Sequence, residues 1–304
     1  MTDTEVADVR RHCGLVAIVG RPNVGKSTLL NALVGQKVSI TSPKPQTTRH
    51  RIVGILGGPG YQAVFLDTPG LHARQHRGLN RAMNRAALGS LAEADLLLLV
   101  VDATRWTHED EAALERVRQS EKPVVLIVNK CDKVKPREKL LPTLERLSAL
   151  HAFDAVVPLS ALKGDNVERL KDVIAPLLPE GEAIYAEDQV TDRSVRFLAA
   201  EIVREKLTRV LQEELPYGIS VEIERWEEED NRLLIGAVIW VEREGQRKIV
   251  IGEGGQRLKE VGQAARLDIN DMLERRVHLE LWVKVRENWA DNEAALRQFG
   301  YDPS

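Results

Sequence analysis

The chain has 304 residues, and roughly 100–200 is usual for one domain, so two domains are expected. Charged residues at 29% and hydrophobic ones at 43% fit a soluble globular protein. No window holds the ~18 apolar residues that span a bilayer, and a formal net charge of −3 argues against a generic nucleic-acid binder.

The first twelve residues are polar and lack the apolar core of a signal peptide. Two unclustered cysteines, Cys13 and Cys131, suggest a reducing compartment, with neither a disulfide framework nor a metal site. The histidines show no metal-ligand spacing; His72 and His76 read as solvated loop residues.

The apolar run Leu15–Val19 reads as a strand. It feeds Gly20-Arg21-Pro22-Asn23-Val24-Gly25-Lys26-Ser27, a GxxxxGK[ST] phosphate loop, and Thr28–Leu33 continues as a helix. In such a loop the backbone N–H groups and the helix N-terminus converge on phosphates. Lys26 is expected to reach the β and γ phosphates, and the Ser27 hydroxyl to ligate Mg²⁺. The strand Gln62–Leu66 leads into Asp67-Thr68-Pro69-Gly70. There Asp67 can hold Mg²⁺ through a water, and Gly70, with no Cβ, can bring its N–H to the γ-phosphate.

Helices are expected over Arg77–Leu91, Glu109–Gln119 and Arg137–Leu150, with the buried parallel strand Asp95–Val101 between the first two. The run Val124–Val128 ends in Asn129-Lys130-Cys131-Asp132, an NKxD sequence at the carboxyl end of a strand, where open α/β sheets bind ligands. The Asp132 carboxylate suits guanine, which offers N1–H and a 2-amino group side by side. Adenine lacks that pair and would leave the carboxylate unpaired. Asn129 and Lys130 would brace the loop and cover the base. After the strand Ala155–Leu159, the backbone of Ser160-Ala161-Leu162 can contact the guanine O6. Alternating strands and helices imply an α/β P-loop NTPase fold, and the four motifs in this order imply a GTP-binding switch domain. A helix over Asn166–Leu178 precedes a boundary near residues 180–190, where Pro179-Glu180-Gly181-Glu182 breaks the periodicity.

Beyond it, Val195 to Leu211 carries one apolar helical stripe that Pro216 and Gly218 stop. Residues 219–224 alternate as a half-buried strand, Leu233–Val241 is a second strand of the same hairpin, and Leu279–Val285 alternates as a third. Between them lie Ile251-Gly252-Glu253-Gly254-Gly255 and a helix from about Gln256 to Arg275. This order, α-β-β-α-β with a glycine turn, matches a KH fold, whose GxxG loop clamps a nucleic-acid backbone. Residues 1–183 carry about +4 and residues 184–304 about −7, so any RNA contact must use a local patch. Arg247, Lys248, Arg257, Lys259 and Arg266 against Glu253 and Glu260 supply one.

The motifs together resemble the Era family of bacterial GTPases, within the TrmE-Era-EngA-like P-loop proteins. The resemblance spans nearly the whole chain and is specific in Gln46-Thr47-Thr48-Arg49-His50-Arg51, in Ile251–Ala265 and in Trp289-Ala290-Asp291. It implies a Ras-like GTPase domain (residues 1–182), a linker (183–193), a type II KH domain (194–288) and a tail (289–304). It implies hydrolysis of GTP to GDP and phosphate, with catalytic roles for Lys26, Thr48 and Gly70, and Mg²⁺ held by Ser27, Thr48 and Asp67. It implies RNA contact through Lys248, Ile251, Gly252, Gly255, Arg257, Lys259 and Arg266. The implied partners are the 3′ end of small-subunit (16S) rRNA and the 30S subunit, without DNA. A monomeric, cytoplasmic protein is expected, with peripheral membrane association implied by the family alone.

Two departures bear on mechanism. Many GTPases orient the attacking water with a glutamine where this chain has Leu71, so intrinsic turnover is expected to be slow; similar GTPases use a loop asparagine, here Asn23, to bind a potassium ion. The turn also carries Glu253, where relatives are expected to have a basic residue, and a glutamate facing a phosphate costs affinity. The competing reading is a nucleotide switch whose C-terminal domain docks a protein or the membrane. Trp226, Trp240 and Trp282 are read as sheet packing, with Trp289, after the last strand, the remaining stacking candidate.

Overall fold

The computed structural model describes residues 11–44, 47–69, 78–211, 218–229 and 232–301. Its contacts divide the chain into two compact units. One comprises Met1–Gln36, Val53–Asp67 and Ser90–Asp192; the other comprises Lys37–Ile52, Thr68–Gly89 and Arg193–Ser304.

The first unit is built on a six-stranded sheet. Its strands are β1 (His12–Val19), β2 (Ile52–Gly58), β3 (Tyr61–Asp67), β4 (Leu96–Asp102), β5 (Val124–Asn129) and β6 (Ala155–Pro158), in the order β2-β3-β1-β4-β5-β6. The β1–β3, β1–β4, β4–β5 and β5–β6 pairs are parallel. The helices are α1 (Lys26–Val34), α2 (Gly78–Glu93), α3 (His108–Arg118), α4 (Leu140–Ser148) and α5 (Val167–Ile174); α2 crosses from the second unit into the first. Leu96 to Val101 are buried on both faces of β4, as a central parallel strand requires. Leu97, Leu99 and Val101 pack with Leu114 and Val117 of α3 and Leu126 and Val128 of β5, each fully buried side chain contributing about 1.5–3 kcal/mol. The parallel register aligns the strand ends, so Val19, Asp67, Asp102 and Asn129 all finish on one edge of the sheet.

The second unit has helices α6 (Val195–Val210), α7 (Glu244–Ile251), α8 (Gln256–Leu273) and α9 (Glu293–Gln298), and a three-stranded sheet of β7 (Ser220–Glu229), β8 (Arg232–Val241) and β9 (Val277–Val285). β7 runs antiparallel to β8, and β9 runs parallel to it. Ile202, Val203 and Leu207 of α6, Ile235 and Ile239 of β8, and Val261, Ala265 and Ile269 of α8 form its core.

The element order is α-β-β-α-α-β, one helix more than the sequence pattern gives. The β-branched run Ile249-Val250-Ile251 hides α7. What starts that helix is Gln246, whose Oε1 accepts the N–H groups of Glu242 (2.8 Å) and Arg243 (3.1 Å). Strand β2 is likewise absent from the apolar runs read in the sequence. Trp289 is fully buried with Leu79, Met83, Leu296 and Tyr301, and its indole N–H donates to the Gly218 carbonyl at 3.2 Å. It is therefore a core residue and no stacking platform.

Candidate nucleotide site and RNA interface

The phosphate loop has the backbone that anion binding demands. Gly20 lies at φ 153°, Asn23 at 62° and Gly25 at 104°. A Cβ on Gly20 would stand 2.4 Å from the Val100 carbonyl oxygen, and one on Gly25 would stand 2.4 Å from Asn129 Nδ2, so both positions need glycine. Val24 is buried, and Pro22 and Thr28 are half-buried. Lys26 is buried, and its ammonium donates to the carbonyls of Gly20 (2.9 Å) and Arg21 (3.0 Å). Burial lowers its pKa to about 8, with Asp67 opposing that shift and Arg21 adding to it.

The Ser27 hydroxyl donates to Asp67 Oδ2 at 2.7 Å, and Asp67 is fully buried at the end of β3. A hydroxyl and a carboxylate brought together beside a phosphate loop are a donor set for a hard cation, so these residues fit Mg²⁺.

The base side is equally defined. Asn129 donates from Nδ2 to the Val24 carbonyl (2.8 Å) and accepts at Oδ1 from the N–H groups of Lys130 (2.7 Å) and Ala161 (3.0 Å). One side chain thus joins the phosphate loop, its own loop and the loop after β6. The Ser160 hydroxyl donates to Asp132 Oδ1 at 2.7 Å, which orients the carboxylate. Ala161 is buried, whereas Leu162 is 73% exposed. Burial raises the Cys131 thiol to about 11, which keeps it protonated and unreactive at neutral pH.

Thr48, Thr68 and Pro69 fall in the second unit and are buried there. Gly70, Leu71, His72 and His76 lie outside the described residues, as do Gln46 and Pro216. The segment carrying Thr48 is fastened to α6. Arg204 Nη2 donates to the Thr47 carbonyl (2.5 Å), and Glu205 accepts from the Thr41 N–H (3.1 Å) and from Lys37 (2.5 Å). Arg49 donates to the Ile219 carbonyl (2.6 Å). Sequence reasoning passed over Asp102, which faces Arg21 and Lys130 of the two nucleotide loops, and Asp110, which binds Arg21. Asp102 could have been found as the acidic end of the buried run before it.

At the glycine turn, Gly252 (φ 76°), Gly254 (56°) and Gly255 (78°) all occupy positive φ. A Cβ on Gly252 would meet Arg257 Cβ at 2.8 Å. Lys248 and Lys259 are exposed, Arg266 is half-buried, and Glu253 is exposed within the turn. Gly255, Leu258, Lys259, Gly262, Gln263 and Arg266 line a groove of about 530 Å³ against His278, Leu279 and Leu281 of β9. Two of the expected RNA residues have other duties: Arg257 donates to the Ile249 carbonyl, bracing the turn, and Ile251 packs on the core.

Residues 15–130 match the family of 50S ribosome-binding GTPases, and residues 214–290 match the KH domain. The chain is a P-loop GTPase with a C-terminal KH domain, a hydrolase acting on GTP. The GTPase Era of Stenotrophomonas maltophilia (strain R551-3) is 57% identical over 292 residues, covering 96% of this chain and 98% of that one. The GTPase Era of Marinobacter nauticus is 52% identical over 301 residues, covering 99% of each. With relatives this similar over almost its whole length, the chain belongs to the Era family of GTPases. Two solved structures agree with it at 45% identity and a TM-score of 0.91. One is an Aquifex aeolicus Era variant bound to GDP·AlF4⁻ (95% of this chain, 99% of that one); the other is Era in complex with MgGDPNP and nucleotides 1506–1542 of 16S ribosomal RNA (96% and 99%).

Proposed function

We propose that this protein is a GTP-controlled switch that binds the 3′ end of small-subunit (16S) rRNA and assists assembly of the 30S subunit. The observation that carries the RNA half is the glycine turn beside a groove holding Lys259 and Arg266, in a domain that is otherwise acidic. The similar protein bound to nucleotides 1506–1542 of 16S rRNA supports the same target.

In the nucleotide half, the loop Gly20–Ser27 with Thr28 cradles the phosphates, and Lys26 leaves its two carbonyls to meet the β and γ oxygens. Ser27 and Asp67, with Thr48 in the GTP state, would hold Mg²⁺, which would neutralise charge on the phosphates. Gly70, by the family resemblance, would donate its N–H to the γ-phosphate. Asp132 accepts from the guanine N1–H and 2-amino groups, the backbone of Ser160, Ala161 and Leu162 contacts the guanine O6, and Asn129 and Lys130 brace the loop and cover the base. Leu71 can neither donate nor accept, so water positioning falls to other groups; Asn23 ligating K⁺ would supply a further positive charge. Replacing K⁺ with Na⁺ then lowers the GTP turnover, and an unchanged rate refutes the potassium site.

Nucleotide state reaches the KH domain through the loop that carries Thr48, because Arg204, Glu205 and Arg49 tie that loop to α6 and to the start of β7. A loop ordered by γ-phosphate and released on hydrolysis is a recognised switch. We place the GTPase domain at 1–182, the linker at 183–193, the KH domain at 194–288 and the tail at 289–304. The protein acts as a cytoplasmic monomer without a DNA partner. Among the described residues no helix is long and apolar enough to cross a membrane; peripheral association with the cytoplasmic membrane face is part of the same reading and rests on the family resemblance alone.

The test is binding to single-stranded RNA matching the 16S 3′ end with a non-hydrolysable GTP analogue, with GDP and without nucleotide. Tight binding with the analogue, lost in Gly252→Asp, is expected. Absence of binding in every state would favour the alternative, a nucleotide switch whose acidic C-terminal domain docks a protein or the membrane.

A further inference from the structure

Arg21 belongs to the phosphate loop, yet its guanidinium points at carboxylates. Nε donates to Asp110 Oδ2 at 2.9 Å, Nη1 donates to the Pro22 carbonyl at 3.3 Å, and Nη2 lies 3.8 Å from Asp102 Oδ2. Asp110 sits in the first turn of α3 and is fully buried; the same Oδ2 accepts the N–H and the hydroxyl of Thr107, each at 2.8 Å. Asp102 ends β4. Its Oδ1 accepts from the Thr104 N–H (3.0 Å) and hydroxyl (2.6 Å), and its Oδ2 accepts Lys130 Nζ at 2.8 Å. Lys130 is the lysine of the guanine loop, and its ammonium also bonds the Asn23 carbonyl of the phosphate loop at 2.6 Å. One oxygen of Asp102 therefore faces a cation from each of the two nucleotide loops.

We propose that Asp102, together with Arg21 and its anchor Asp110, is a positioning node that holds the phosphate loop and the guanine loop in register and so couples the grip on the phosphates to the grip on the base. This rests on the nucleotide site assigned above. The charge count explains why an acid is needed. Arg21 is 3% exposed, and Lys130 comes within bonding distance of the same carboxylate oxygen. Without that carboxylate Asp110 still balances Arg21, but Lys130 keeps its charge with no carboxylate beside it, one net positive charge at a site only partly open to water. Burial alone would raise the Asp102 pKa, but the hydrogen bonds from Lys130 and Thr104 hold it below the usual carboxylate value, so it is ionised at neutral pH. Releasing Lys130 would also free the left-handed turn at Lys130 (φ 65°), from which Asp132 is presented.

The experiment is stopped-flow release of a fluorescent N-methylanthraniloyl GDP from the full chain. It compares wild type, Asp102→Asn, Arg21→Gln and the double variant, with nucleotide-free thermal melting of each. Asp102→Asn keeps the shape and removes only the charge. Each single change should speed release about ten-fold and the double should release no faster than the faster single; Asp102→Asn should melt without nucleotide within a few degrees of wild type, whereas Arg21→Gln, which strands the buried Asp110, should melt lower. Wild-type release from Asp102→Asn, multiplicative effects in the double, or release that merely follows a falling melting temperature would each overturn the node. Asp132→Asn serves as control: if wild type fails to bind GDP, or this variant binds it as wild type does, the nucleotide site itself is refuted. If the control behaves and Asp102→Asn does not, only the node fails.

Discussion

Arg204 and Glu201 form a fully buried pair, Nε to Oε1 at 2.7 Å and Nη2 to Oε2 at 2.6 Å, and the same Nη2 reaches the Thr47 carbonyl at 2.5 Å. The pair thus fastens the loop of Thr48 to α6. Removing one partner strands the other charge in a dry core. Arg204→Ala should lower the stability of the second unit by about 3–5 kcal/mol, measured by urea unfolding, whereas Glu201→Met with Arg204→Leu should recover much of the loss. The double variant should still bind GTP analogue but lose the dependence of RNA binding on nucleotide, because its loop no longer pulls on α6.

His50 predicts a pH dependence. Its ring stacks on Tyr301 (4.3 Å between centroids) and edge-on to Phe197 (5.1 Å), and burial lowers its pKa to about 4. A histidine lowered in the folded state takes up its proton more readily when unfolded. Its contribution is therefore complete above the unfolded pKa of about 6.5 and is lost as pH falls from there toward 4, at most about 3 kcal/mol. Unfolding free energies at pH 7.5 and pH 5.5 should differ by about 1.4 kcal/mol on its account. His50→Phe should remove that difference, and an unchanged slope would refute the assignment.

Gly25→Ala is expected to abolish GDP binding with little change in fold. The new Cβ would meet Asn129 Nδ2 at 2.4 Å at a φ of 104°, so either the loop or the guanine loop must move. Calorimetric titration with GDP beside a circular dichroism melt separates loss of the site from loss of the protein.

Glu253→Lys should tighten rRNA binding several-fold. The side chain is exposed between Gly252 and Gly254, where a phosphate would pass. A lysine that contacts it adds one counterion released, so the slope of log affinity against log salt should steepen by about one. Equal slopes for the two proteins would mean that position 253 does not face the backbone.

Much of this was legible in the residue order. The phosphate loop, Asp67 and Asn129 to Asp132 stand at ends of apolar runs, and a parallel sheet aligns such ends, so motif and place agree. The glycine turn was legible for the same reason, since three positive-φ residues leave little choice but glycine. Strand β2 was not, because Ile52-Val53-Gly54-Ile55-Leu56-Gly57-Gly58 carries three glycines and no strong alternation. Helix α7 was not, because a single glutamine decides against its β-branched residues. Nor could any local pattern show that residues 37–52 and 68–89 group with the KH core, for that grouping rests on contacts such as Arg204 with Thr47, 157 residues apart. The acids that hold Arg21 were not legible either, because they lie more than eighty residues downstream.

The small core of Leu79, Met83, Trp289 and Leu296 sets an order of events during synthesis. All six strands of the nucleotide sheet have emerged once residue 158 is out. Leu79 and Met83 have no cover until the tail arrives, roughly 200 residues later, a wait of about 10–40 s at ordinary rates of translation. Through that interval the nascent chain presents the apolar face of Leu79 and Met83 without the residues that complete its core, a target for a chaperone.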